Sequence, residues 1–121
     1  RVYINGNIQD GYAPQGSNYT WYGLFFSSKF TEAIIGENVT QIGAYAFYES
    51  TSLQNVYLKP TTPPSIGTRA FCYNENAYSG DFPPIPNLKI YVPTSSVDAY
   101  KSAWRTYSSI IEGYDFENNP I

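Results

Sequence analysis

The feature that most constrains the fold of this chain is an internal repeat. Residues 42–47 (IGAYAF) and residues 66–71 (IGTRAF) share the pattern Ile-Gly-x-x-Ala-Phe and start 24 residues apart. The upstream segments repeat as well, because Ile35 and Leu58 occupy matching positions 23 residues apart. A period of this length is typical of a solenoid, in which each short coil buries its apolar residues only against its neighbours.

Apolar residues alternate with other residues at one place in each coil, which predicts short strands. The alternation occurs at four places, residues 2–4, 33–35, 56–58 and 90–92. We therefore predict four parallel strands. The predicted core consists of inward strand positions and of apolar positions behind the strands, namely Ala33, Ile35, Val56, Leu58, Ile90, Val92, Ile42, Phe47, Leu53, Ile66, Phe71 and Leu88. Gly43 and Gly67 would permit a tight or left-handed backbone at the same point of each coil.

The end of the chain departs from the repeat. Apolar residues of segment 96–111 are spaced three or four positions apart: Val97, Tyr100, Trp104, Tyr107 and Ile111. This spacing predicts an amphipathic helix that ends before Gly113 and covers the open end of the core. Two other segments, residues 10–20 and 73–86, interrupt the period and are predicted to be loops.

These observations divide the chain into three parts. Residues 1–29 are a degenerate N-terminal repeat or cap, and residues 30–94 hold the repeats with an inserted loop at 73–86. Residues 95–121 are a C-terminal capping helix and tail. The start at Arg1 and the lack of methionine indicate a mature fragment or an excised domain.

The repeats resemble a known family. Residues 30–47 (FTEAIIGENVTQIGAYAF) and 53–71 resemble the BspA-like leucine-rich repeats of Bacteroides-type bacteria. Residues 60–67 (PTTPPSIG) and 88–116 (LKIYVPTSSVDAYKSAWRTYSSIIEGYDF) resemble the final repeat and helical cap of surface proteins from that group. The sequence departs from the family at Ser50 and Asn74, which stand at the small or Cys position of the repeat, and at Cys72, which occupies the slot of Tyr48.

The resemblance implies both a fold and a role. The fold is an α/β solenoid, a short leucine-rich-repeat array with a small parallel sheet, irregular coils and a C-terminal capping helix. Members of the family are exported to the bacterial cell surface or secreted, some with a lipid anchor, and act in adhesion or protein interaction. No catalytic residues come with the family, so we expect a protein that is not an enzyme and has no cofactor.

Composition excludes several function classes. The chain has no histidine, which removes Ser/His/Asp and Cys/His catalytic sites. Its charge sums to −3 and forms no basic stripe, so we expect no nucleic-acid partner. No apolar run approaches the about 20 residues that span a bilayer, so we expect no transmembrane segment. We expect no metal site, since the polar run at residues 74–76 with Asp81 is typical of a solvated loop. Cys72 is predicted to be an inert thiol that points outward.

The candidate site is the outward row of the predicted strands. The row consists of Tyr3, Ile34, Tyr57 and Tyr91, with Glu32, Lys59 and Lys89 beside it. Stacked strands would align these side chains into a ladder that could contact an extracellular protein or a sugar ring. Alternatively, the rings merely stack on one another across strands.

Three functions remain open: an adhesion or protein-interaction module, an architectural cap of a longer repeat array without its own ligand, and a carbohydrate-binding module. Exposed tyrosines beside polar groups would favour a binding role. Buried aromatic residues would favour the architectural one.

Overall fold

The computed structural model describes residues 1–11, 23–73 and 83–121. The described strands are β1 (Val2–Ile4), β2 (Glu32–Ile35), β3 (Gln41–Ile42), β4 (Asn55–Leu58), β5 (Ser65–Ile66), β6 (Lys89–Pro93) and β7 (Ile111–Tyr114). The described helices are α1 (Val97–Ala103) and two 3-10 helices, Thr94–Ser96 and Arg105–Ile110.

Most strands join one parallel sheet. Its order is β1-β2-β4-β6-β7, and every neighbouring pair is parallel. The four predicted strands are therefore confirmed, whereas β7 was not predicted. A second sheet pairs β3 with β5, so the coils are also hydrogen-bonded to each other behind the main sheet.

The core forms where the repeat pattern places it. Eleven of the twelve predicted core residues are buried, and the twelfth, Ile66, is partly buried against the same cluster. Rings from three successive coils stack inside it: the Phe25 and Phe47 centroids lie 4.8 Å apart, and those of Phe47 and Phe71 lie 5.2 Å apart. The coil that holds Phe25 thus follows the repeat, although the sequence pattern there is weak.

The two repeat glycines are required by close approach of neighbouring coils. A Cβ on Gly43 would lie 2.1 Å from the Gln9 carbonyl oxygen, and one on Gly67 would lie 2.1 Å from the Ala44 nitrogen. The left-handed conformation falls instead two residues later in each coil, at Tyr45 (φ 60°) and Arg69 (φ 55°). The left-handed conformation therefore does not occur at the glycines, and the close approach of the neighbouring coil is what requires them.

The C-terminal segment differs from the single helix predicted over 96–111. The α1 helix ends at Ala103, where the Trp104 backbone turns to φ −115° and ψ 58°. A 3-10 helix follows, and Ile111 begins β7, which pairs with β6 and includes Gly113. The pairing of β7 with β6 gives hydrogen-bond partners to backbone groups of β6 that a continued helix would leave unpaired. For this reason the segment ends as a strand and not as a helix.

The cap is attached to the proline-rich turn of the last coil. Three side chains donate hydrogen bonds to carbonyl oxygens of this turn: Ser96 Oγ to Thr61 (2.7 Å), Tyr100 Oη to Pro60 (2.7 Å) and Trp104 Nε1 to Pro64 (3.0 Å). The cap therefore supplies donors to a turn whose three prolines have no N–H groups of their own to offer.

The structure describes only parts of the two segments that interrupt the repeat, residues 10–20 and 73–86. Ile85 is buried in the core, and Pro84 bridges to Cys72, so the end of the predicted loop at 73–86 belongs to the folded structure. Cys72 is 2% exposed, and the prediction that it points outward is wrong because Tyr107 packs over it (Sγ to Oη, 3.4 Å). Residues 74–82 lie outside the described residues, as do residues 12–20 of the other predicted loop.

Candidate functional site

The outer face of the five-stranded sheet carries the predicted row. Strand register pairs Tyr3 with Ile34, Ile34 with Tyr57 and Tyr57 with Tyr91, and continues the row to Glu112 of β7. Because alternate strand residues point to opposite faces, these side chains lie on the face opposite the core. The structure thus brings the predicted row together, one residue from each strand.

The tyrosine rings of the row pack with aromatic residues of the C-terminal segment. The Tyr57 and Tyr91 rings stack with centroids 5.0 Å apart and an interplanar angle of 16°. Tyr114 meets both edge-on, at 5.3 Å from Tyr57 and 5.8 Å from Tyr91. Phe116 lies 4.8 Å from Tyr114. We call these four rings the aromatic cluster.

Sequence reasoning missed two members of this cluster, Tyr114 and Phe116. Both follow the segment that was predicted to be helical, so they were assigned to the tail. The signal that could have found them is alternation, since Ile111, Gly113 and Asp115 alternate with Glu112, Tyr114 and Phe116. The site is therefore larger on the β7 side than the repeat pattern indicates.

Exposure differs sharply along the row. Tyr3 is 58% exposed, Tyr57 and Tyr91 are half-buried, and Ile34 is 2% exposed. Ile34 does not belong to the core cluster, which agrees with its place on the outer face. The expectation that Ile34 offers a contact surface needs correction, because neighbouring side chains already cover it.

The charged residues beside the row have partners. Arg1 and Glu32 form a salt bridge of 2.9 Å at one end, and Lys89 and Glu112 form one of 3.1 Å at the other. Lys59 Nζ donates a hydrogen bond to the backbone carbonyl of Ile121, so the end of the chain returns to β4. These pairs place both signs of charge around the rings.

Electrostatics keep the central phenol neutral. Burial raises the pKa of Tyr57, and the Glu32 carboxylate raises it further. The Tyr57 hydroxyl therefore remains a neutral donor and acceptor over the physiological range, which suits hydrogen bonding to a partner or to a sugar hydroxyl.

A polar cleft lies next to the row. Its volume is about 320 Å³, and it is lined by Asn5, Gly36, Glu37, Asn38 and Lys59. Asn5 directly follows β1 and Lys59 directly follows β4, so the cleft lies at the ends of these two strands. Amide, carboxylate and ammonium groups thus meet in one cleft.

Two features were sought in the described ranges: groups of metal-ligating side chains and membrane-spanning helices. Within residues 1–11, 23–73 and 83–121, no three His, Cys, Asp or Glu side chains are grouped so that they could hold a metal ion. In the same ranges, no helix is both long and apolar enough to cross a membrane. Residues 74–76 and Asp81, for which a solvated loop was predicted, lie outside these ranges.

Comparison with known proteins identifies the repeats. A family model described as a BspA-type leucine-rich repeat region of six copies matches residues 13–103. The chain belongs to the BspA-type leucine-rich repeat family. No curated protein and no solved structure matches it.

Family membership fits the architecture. BspA-type repeats imply a solenoid-like repeat fold, and the parallel sheet with one strand per coil accords with it. Leucine-rich repeats are modules for protein–protein interaction and are typically not enzymes. The matched range ends within the cap, whereas the sheet continues to β7, so the last strand of this BspA-type chain extends beyond the matched region.

Proposed function

We propose that this BspA-type chain is an extracellular or cell-surface module that binds a partner protein through the outer face of its sheet. The observation that carries the proposal is the tyrosine row, in which Tyr3 is 58% exposed and Tyr57 and Tyr91 are half-buried. The proposed contact residues are Tyr3, Tyr57, Tyr91, Lys59 and Lys89, and the buried Ile34 lies between Tyr3 and Tyr57 in the row.

The arrangement has the properties of a protein-binding surface. Tyrosine offers a large apolar ring and a polar hydroxyl, and it is enriched where proteins meet. The stacked pair of Tyr57 and Tyr91 is already ordered, so binding costs little further side-chain entropy. The Arg1–Glu32 and Lys89–Glu112 pairs supply a polar rim.

The test is a binding screen on immobilised extracellular-matrix proteins. Variant Tyr3→Ala removes the most exposed ring without touching the core, and Tyr3→Ala/Tyr91→Ala removes a second. We expect about tenfold weaker binding for the double variant, as for truncation of an aromatic anchor. Leu24→Ala is the matched control, because Leu24 is 69% exposed and lies outside the sheet.

Two outcomes would contradict this role. Equal weakening by Leu24→Ala would indicate nonspecific apolar adhesion. No binding by the parent chain to any partner tested would favour the architectural alternative, a cap of a longer repeat array, in which the stacking of Tyr57 on Tyr91 serves only the sheet.

A carbohydrate ligand is the second candidate, and the polar cleft is the observation that favours it. Amide, carboxylate and ammonium groups in one cleft suit a sugar, whose hydroxyls donate and accept hydrogen bonds. Glycan binding that is lost in Glu37→Gln and Asn38→Ala, with protein binding retained, would establish this candidate in place of the first.

The proposed location is the bacterial surface, by secretion or by attachment through a lipid anchor elsewhere in the protein. Family membership supports this location. Labelling of intact cells with an antibody against the chain tests it, and labelling that requires lysis would contradict it.

A further inference from the structure

Residues 117–121 turn back from the edge of the sheet towards its centre. β7 ends at Tyr114 at the sheet edge, whereas Lys59 Nζ donates a hydrogen bond to the backbone carbonyl of Ile121. Lys59 directly follows β4, and β6 lies between β4 and β7 in the sheet. The segment therefore passes β6 and reaches the end of β4. We call residues 117–121 the return segment.

A polar turn directs the return segment. The Asp115 carboxylate accepts hydrogen bonds from the Asn118 backbone N–H (3.1 Å) and from the Asn118 side-chain amide (2.7 Å). The Asp115 carbonyl accepts two more from Asn119, at 3.0 and 3.1 Å. The hydrogen bonds from Asn118 lower the pKa of Asp115, so its carboxylate is ionised at neutral pH. Local hydrogen bonds between exposed residues thus reverse the chain.

The return segment buries little of its own surface. Residues 117–120 are exposed, and Ile121 is only partly buried. The hydrogen bond from Lys59 joins its far end to the sheet. Segments with few buried contacts and exposed hydrogen bonds open locally at little cost in free energy. We therefore expect the return segment to leave the end of β4 without unfolding of the sheet.

The place that the return segment occupies joins two surfaces of the candidate site. At one end, Phe116 precedes it and belongs to the aromatic cluster. At the other end, Lys59 also lines the polar cleft. A peptide in this place therefore meets aromatic rings at one end and an ammonium group at the other. These groups suit an extended peptide, whose carbonyl oxygens accept hydrogen bonds and whose apolar side chains pack on rings.

We propose that the place between the aromatic cluster and Lys59 is a subsite for an extended peptide segment of the partner protein, and that the return segment occupies it until the partner displaces it. The inference rests on the proposed function, because it assigns the form in which the partner meets this surface. The return segment already places a peptide carbonyl on the Lys59 ammonium. As a tethered competitor, it lowers the apparent affinity in proportion to the fraction of molecules whose subsite is free.

The experiment adds an acetylated synthetic peptide of residues 117–121 (ENNPI) to the full 121-residue chain and follows backbone amide NMR shifts. The double variant Asp115→Ala/Asn118→Ala removes the side-chain hydrogen bonds of the turn and changes only exposed residues. We expect its return segment to give the sharp signals of a released segment. The peptide should then shift residues 57–59 and bind about three- to tenfold more tightly to the double variant than to the parent chain.

Two lysine substitutions, each added to the double variant, test the contact with the ammonium group. Lys59→Met should weaken peptide binding about threefold, as for an exposed charged group. Lys101→Met is the matched control, because Lys101 is an exposed cation of α1, and it should leave binding unchanged. Equal binding by the parent and the double variant, equal weakening by both lysine substitutions, or equally tight binding of a scrambled peptide would overturn the proposal. A return segment whose signals neither the double variant nor Lys59→Met changes would also overturn it.

The peptide titration separates this inference from the proposed function, because it uses no partner protein. If the screen on extracellular-matrix proteins finds no partner, the peptide result alone decides. If the screen finds a partner, we expect it to bind the double variant about three- to tenfold more tightly than the parent chain. A partner that binds both equally, and leaves the signals of the return segment unchanged, would support the proposed function and overturn the subsite.

Discussion

Gly67 lies against the preceding coil so closely that no side chain fits. A Cβ there would meet the Ala44 nitrogen at 2.1 Å and the Ala44 Cα at 2.5 Å, both backbone atoms that cannot rotate away. Tyr48 is constrained in a different way, because burial and then the Glu49 carboxylate raise the pKa of its phenol from 10.0 to about 12. The stability of a coil thus depends on close packing at Gly67 and on the burial of a neutral phenol at Tyr48.

Substitution Gly67→Ala should separate the stacked coils locally. We expect the free energy of unfolding to fall by about 3 kcal/mol, as for overpacking of a closely packed site. Gly6→Ala is the control, since a Cβ on Gly6 meets nothing within 4 Å, and its effect should stay within about 0.5 kcal/mol. Urea denaturation measures both, and equal effects would contradict the close-approach explanation.

Alkaline pH should weaken the fold through Tyr48. A raised folded-state pKa means that the unfolded phenol ionises first, so its contribution is fully present below pH 10 and is lost as the pH rises towards about 12. We expect the parent chain to lose stability relative to Tyr48→Phe over this window. Urea denaturation at pH 9 and pH 11 measures the difference, and a constant difference would refute the buried-phenol interpretation.

At the scale of elements, the cap and the proline-rich turn form one unit. Tyr100 is fully buried, and its hydroxyl donates to the carbonyl oxygen of Pro60, a buried residue. The α1 helix has only seven residues and lies well below the length at which an isolated helix is stable. Its stability therefore comes from these contacts with the last coil.

Tyr100→Phe tests the hydrogen bond alone, because the ring and its packing remain. We expect a loss of about 1 to 3 kcal/mol, the cost of leaving a buried carbonyl without a donor. Tyr3→Phe provides the matched removal of a hydroxyl at an exposed position and should change stability by no more than about 0.5 kcal/mol. Thermal and urea unfolding of both variants measure the two losses of stability. Similar losses would contradict the stabilising role of the hydrogen bond from Tyr100 to Pro60.

At the scale of the whole molecule, the sheet ends in β1 on one side and in β7 on the other. β7 supplies buried Ile111 and carries Tyr114 into the aromatic cluster, so it closes both the core and the outer face. Without it, β6 would become an unpaired edge, which is a template for pairing with another chain.

Removal of residues 111–121 should therefore destabilise the chain by more than about 3 kcal/mol, the scale of losing one buried Ile side chain and its neighbours. We also expect self-association. Removal of residues 117–121 alone keeps β7 and Phe116 and should have a small effect. Size-exclusion chromatography and melting curves distinguish the two truncations, and a monomeric, equally stable 1–110 chain would refute the closing role of β7.

Much of this architecture could be predicted from the sequence because the repeat appears in two separate patterns. The paired Ile-Gly-x-x-Ala-Phe elements and the alternating strand residues predict the same register between neighbouring strands. The sheet has this register. The end of the cap could not be predicted in this way. The spacing of Tyr107 and Ile111 suits a helix, but Ile111 gains a strand partner in Ile90 that only the folded sheet provides.

The sequence by itself determined that the coils must stack, since no coil with this apolar pattern can bury its core residues alone. It also determined which strand residues face outward, because alternation follows from backbone geometry. Only the tertiary structure decided which outward residues remain accessible. Tyr3 stays exposed and Ile34 is buried, because exposure depends on the neighbouring strands and side chains that surround each position.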